Sequence, residues 1–184
     1  MRDKDLKISI KNSHPNLSRS ETKELVQFFA DKLVTKAKQK NMIINLVYDD
    51  DGEAIGSDKG QTMWEWYDTG RKNKFTIHIN PKLSKSAAMK VIAHEMVHVK
   101  QYANGELYDY QNNSKVRWMG KVYDEDDFDY WEQPWEIDAY GREVGLVLYY
   151  KEHVDLRRTQ EKFLAKAKRK IDAAAKKKSQ KKGP

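Results

Sequence analysis

His94-Glu95-Met96-Val97-His98 constrains this chain more than any other stretch. It reads H-E-x-x-H, and four residues along a helix are just over one turn, so the two histidines share a face. Imidazoles on adjacent turns are spaced to hold one metal ion, and Glu95 is placed to take a proton from water at that ion. The flanks predict such a helix. Ser84-Lys85-Ser86 supplies N-cap candidates and Asn104-Gly105 a C-cap. Between them Met89, Val91, Ile92, Ala93, Met96, Val97 and Val99 surround the motif almost completely, the pattern of a buried helix. Unpaired polar groups in a core cost several kcal/mol, so two His and one Glu there need partners. A zinc ion would satisfy all three; two core histidines bonded to carbonyls are the competing explanation.

The chain has 184 residues and no cysteine. That length suits one domain with an appendage and is enough for a real core. Without cysteine, a disulfide scaffold, a Cys-type zinc finger and a cysteine nucleophile are excluded. Met1 to Lys7 lacks an apolar signal region and no run is long enough to span a bilayer, so the expectation is a soluble cytoplasmic protein. The net charge of +7 is unevenly placed: residues 157–184 carry +10 and residues 1–156 carry −3. The body is therefore mildly acidic and the basic character belongs to the C-terminal end.

Alternation in Leu6, Ile8 and Ile10 predicts a first strand. Ser18-x-x-Glu21 is a capping box opening a helix to about Lys38, with Leu25, Phe28, Phe29, Leu33 and Val34 on one face. Residues 41–48, 62–67 and 75–79 read as strands, and 116–123 as a short strand or hairpin around Gly120. Asp124 to Asp129 is an acidic loop, a solvated rim or a selector of basic substrates rather than a calcium site, since it lacks EF-hand spacing. Pro134 opens a helix to about Glu152. A last helix begins near Asp155. The order predicts an α+β fold, a small mostly antiparallel sheet covered by helices. Three segments follow: a domain over 1–155, a basic amphipathic helix over 156–175 docked on it, and a disordered Lys-rich tail over 176–184.

A catalytic zinc usually takes three protein ligands and one water. Glu136, early on the helix opened by Pro134, is the preferred third ligand, facing across to His94 and His98; Ala139 one turn on allows close approach. Glu132 and His153 are rivals. His153 and Glu136 cannot serve the same ion if one helix joins them, because seventeen residues at ~1.5 Å each place them about 25 Å apart. Asp138 and Glu143 are candidates to orient the histidines, and Tyr140 to stabilise a transition state. Tyr149, Tyr150 and His78 are weaker candidates, better read as core or surface groups.

His94, Glu95 and His98, with Glu136-Ile137-Asp138-Ala139 on a later helix, resemble the gluzincin branch of the zincin metallopeptidases, including compact bacterial and phage forms. Ile92 to Gly105 is also similar to the active-site helix of SprT-like proteases. Those use a third histidine, and this chain has none between His98 and His153. The resemblance covers roughly residues 75–145. It implies a minimal zincin domain, Zn2+ as cofactor, a protein or peptide substrate, and endopeptidase action with Glu95 as general base. The strand over 75–79 is expected to run along the cleft with a free edge for the substrate. A monomer with no membrane partner is expected. Lys176, Lys177, Lys178, Lys181 and Lys182 are candidates to contact nucleic acid. The alternative is a nucleic-acid-associated binding protein with a structural or vestigial zinc site.

Overall fold

The structure is a computed structural model that describes residues 6–49, 54, 56, 58–65, 73–110 and 114–180. Its first unit, Met1–Val147, is α+β. The expected strands form two small sheets. In the larger, β1 (Lys7–Lys11), β2 (Ile43–Tyr48), β3 (Gly60–Trp64) and β4 (Lys74–Ile79) lie in the order β1-β2-β4-β3. β1 and β4 both run parallel to β2, and only β3 is antiparallel. This corrects the expectation of a mostly antiparallel sheet. The cause is the crossover through α1 (Arg19–Leu33), which returns the chain alongside β1 in the same direction. The smaller sheet, β5 (Leu107–Asp109), β6 (Lys115–Trp118) and β7 (Lys121–Asp124), is wholly antiparallel. β6 and β7 are the hairpin expected around Gly120, whose φ of 86° is one that glycine adopts freely.

A second correction follows from the strand order. β4 lies between β2 and β3, so it has no free edge; the edge strands are β1 and β3, and β3 is the one that lines the cleft. β2 and β4 bury alternate residues, Ile44, Leu46 and Tyr48 on one and Phe75, Ile77 and Ile79 on the other.

α1 begins with the predicted capping box. Ser18 Oγ accepts from the Glu21 amide at 3.2 Å, and Glu21 Oε2 accepts from the Ser18 amide at 3.0 Å. The helix is shorter than its apolar pattern suggests. Val34 is extended and a separate turn, α2 (Lys36–Gln39), follows. The buried Gln39 amide donates to Ala30 O, which also accepts from the Val34 amide, and to Val34 O just past the helix end. α3 (Lys85–Asn104) has the expected ends, Ser84 as N-cap and Gly105 in the left-handed conformation as C-cap. It packs against α1, β3, β4 and β5 and buries Ala88 to Gln101 almost without interruption except at Lys90, Val91 and Lys100. Glu21 also pairs with Lys85 at 2.9 Å, joining the starts of α1 and α3.

α4 runs from Pro134 through Gln180 as one helix, where the sequence suggested two segments and disorder from Lys176. No glycine or proline lies between Glu152 and Asp155 to break it, and the Ala/Lys-rich stretch beyond Ala173 has high helix propensity. Lys176, Lys177 and Lys178 thus have helical backbone; Lys181 and Lys182 lie outside the described residues. The second unit, Leu148–Pro184, holds the C-terminal part of this helix. No helix among the described residues is long and apolar enough to cross a membrane.

The cap generates a test of the fold. Ser18→Ala should lower unfolding free energy by about 1 kcal/mol in denaturant titration, with unchanged m-value. An unaltered midpoint would show that the box contributes nothing to α1.

Candidate metal centre

α3 places His94 and His98 on one face, and the first turn of α4 places Glu136 opposite them. All three are buried. His94 Nε2 lies 3.1 Å from His98 Nε2 and 3.1 Å from Glu136 Oε2, while His98 Nε2 lies 3.3 Å from Glu136 Oε1. Among the described residues this group is the one whose donor atoms converge for a metal ion. Tetrahedral ligands with bonds of about 2.0–2.1 Å stand about 3.3–3.4 Å apart; the two imidazole nitrogens and each Glu136 oxygen they face are spaced at about that distance, and one donor atom from each residue lies within 4.8 Å of the others. Two imidazole nitrogens and one carboxylate oxygen are also a donor set that suits a borderline divalent cation. Glu132 and His153, the rival third ligands, are both exposed and outside this group.

The position of Glu136 is fixed from two sides. Trp135 is buried in a small core with Leu107 and Val116, against which Tyr102, Trp118 and Tyr123 pack. The smaller sheet thereby grips the start of α4. Ala139, one turn later, is fully buried and keeps the α4 surface low beside α3. Ahead of the helix, the 3-10 turn Tyr130–Glu132 brings the Tyr130 hydroxyl to Glu136 Oε2, to which it donates at 2.7 Å. Burial and this bond both hold the proton on Tyr130.

The candidates to orient the ligands divide. Glu143 Oε2 lies 3.2 Å from His94 Nδ1 and contacts that candidate ligand directly. Asp138 touches neither histidine; it pairs with Arg142 at 2.7 Å and accepts from Gln101 at 3.2 Å. Tyr140 stacks edge-on to the His94 ring, centroids 4.5 Å apart. His78 is half-buried on β4 and is not part of the cleft wall. In the acidic loop, Asp124 accepts from Ser114 Oγ and from the Asp126 amide, capping a 3-10 turn.

Glu95 is buried against β3. Thr62 Oγ1, on β3, lies 2.8 Å from Glu95 Oε2 and 3.1 Å from the Glu95 carbonyl. Burial pushes the Glu95 carboxyl up, against the pull of His98, His94 and Thr62. Burial likewise works against charge on Glu136, but hydrogen bonds from His94, His98 and Tyr130 hold it well below the usual carboxylate range. For His98 burial is again outweighed, by the hydrogen bond to Glu136 and the charges of Glu95 and Glu136, and its pKa rises. The pocket favours positive charge at its centre, so protons and a cation compete for it.

These groups line a cleft of about 1090 Å³ whose walls also include Asp58, Leu83, Lys90, Asp109, Val116 and Glu125. Gly60, Thr62, Gln101 and Tyr130 carry parts of the site without belonging to any motif. Only Gln101 had a visible signal, a buried polar residue one turn beyond His98. Compared with known proteins, the chain matches no family model, no curated protein and no solved structure.

Gly60 marks how closely β3 approaches α3. A Cβ there would meet Val91 Cγ1 at 2.5 Å and Glu95 Oε1 at 3.0 Å. Gly60→Ala should therefore cost about 1–3 kcal/mol in equilibrium unfolding as β3 or Glu95 yields. Wild-type stability in this variant would contradict the close contact.

Proposed function

We propose that this protein is a zinc-dependent metallopeptidase, a compact zincin of the gluzincin type acting as an endopeptidase. The observation that carries the proposal is the His94–His98–Glu136 triangle with the Glu95 carboxylate beside it, buried at the bottom of an open cleft. His94, His98 and Glu136 would hold the ion. Zinc, when bound, supplies a Lewis acid that acidifies water toward neutrality and polarises a carbonyl.

The chain's own groups account for the remaining needs of peptide hydrolysis. Glu95 takes the proton from the attacking water and returns it to the leaving amine. Its raised pKa suits a group that must both accept and donate near neutral pH. Thr62 holds one Glu95 oxygen, Oε2, and leaves Oε1 without that bond. β3 offers its outer edge to an extended peptide by strand addition, and the edge begins at Gly60 beside Glu95. Tyr140, edge-on to His94, is the candidate to donate to the oxyanion.

The concentration of +10 charge in residues 157–184 favours a second, compatible reading, a polyanion such as nucleic acid bound by the C-terminal segment. Deleting residues 176–184 would then weaken DNA binding in a salt-dependent way and leave cleavage of a small peptide unchanged. Loss of peptide cleavage with the segment would contradict that division.

The main test pairs metal content with turnover. Glu95→Gln should retain one equivalent of zinc and lose peptidase activity by at least about a hundredfold. His94→Ala, His98→Ala and Glu136→Ala should lose both. Peptidase activity surviving in Glu95→Gln, or zinc retained in Glu136→Ala, would overturn the assignment.

A further inference from the structure

Gln101 lies one turn beyond His98 on α3, and its side chain is fully buried. A buried primary amide must place two donors and one acceptor. Its Nε2 faces the Trp135 carbonyl at 3.0 Å and Asp138 Oδ2 at 3.2 Å. The Trp135 carbonyl can only accept, and the Asp138 carboxyl already faces the cations Arg142 at 2.7 Å and Lys100 at 3.5 Å. The amide is therefore fixed in one orientation. Its Oε1 faces His98 Nδ1 at 2.9 Å. An amide oxygen only accepts, so His98 Nδ1 carries the hydrogen, and the lone pair of a neutral His98 falls on Nε2, the atom in the triangle.

The two anchors of Gln101 flank Glu136 in the chain. One side chain thus touches a ligand of α3 and the backbone turn that carries the ligand of α4. We propose that Gln101 is the positioning residue of the metal centre, which sets the tautomer of His98 and holds the Glu136 turn in register with α3. This rests on the metal reading above. His94 is oriented independently, through Glu143 at its own Nδ1. Removing the amide should therefore disturb His98 and spare the tautomer of His94.

The test uses full-length protein with isotope-labelled histidine, loaded with zinc or with cadmium. In the wild type, both metal-bound nitrogens should be Nε2, and each histidine should show a hydrogen-bonded Nδ1–H proton by NMR. Gln101→Met, similar in length but apolar, should bind zinc ten- to a hundredfold more weakly. Its His98 Nδ1–H signal should broaden or vanish while that of His94 persists. Gln101→Glu keeps an acceptor for His98 but sets a carboxylate against Trp135 O and Asp138. It should keep the His98 signal and still lose affinity, and it carries the test if the methionine variant fails to fold. A Gln101→Met protein with wild-type affinity and an unchanged His98 signal overturns the inference alone, as does a Gln101→Glu protein that loses the His98 signal. A wild type that takes up neither ion overturns the metal reading and this inference with it.

Discussion

Three side chains from two helices, with potential donor atoms within 4.8 Å of one another in a buried pocket, are the constraint around which this protein is built. Two imidazoles and a carboxylate cannot be left unpaired there without a cost of several kcal/mol. Each is also denied an escape to solvent by what surrounds it. α3 is buried around most of its circumference and cannot turn its histidines outward. α4 is held at its start by Trp135 in the cluster with Leu107 and Val116. The smaller sheet thus does something specific for the centre: it fixes the place from which Glu136 reaches across.

The two sides of the centre have different supports. On one, β3 presses on α3 through Gly60 and Thr62 and fixes Glu95. On the other, Gln101, Glu143 and Tyr130 each hold one ligand through a single hydrogen bond. The strand that would receive a substrate is therefore the strand that orients the proposed base, and the ligand shell is tied to a separate helix start.

Much of this was legible in the residues. The spacing of His94 and His98, the caps Ser84 and Gly105, and the apolar surround specify α3 to its ends, because those signals are local. Pro134 placed the start of α4 and with it Glu136. Strand direction was not legible: alternation in residues 43–48 and 74–79 gives faces but says nothing of whether neighbours run parallel. The same gap hid the edge strand, since β3 is the least regular strand in sequence and its glycine looks like a turn residue. Asp138 was expected beside a histidine and instead reaches one through Gln101, a through-space relation that no periodicity encodes. The single 47-residue α4 was missed because an amphipathic stripe that changes face resembles two helices, although nothing between Glu152 and Asp155 breaks the backbone.

X-ray absorption at the zinc edge of reconstituted wild-type protein tests the central claim most directly. The account predicts a first shell of three or four nitrogen and oxygen atoms at about 2.0 Å with outer-shell scattering from two imidazoles. A six-coordinate shell of oxygen without imidazole scattering would place the ion elsewhere and contradict the centre formed by His94, His98 and Glu136.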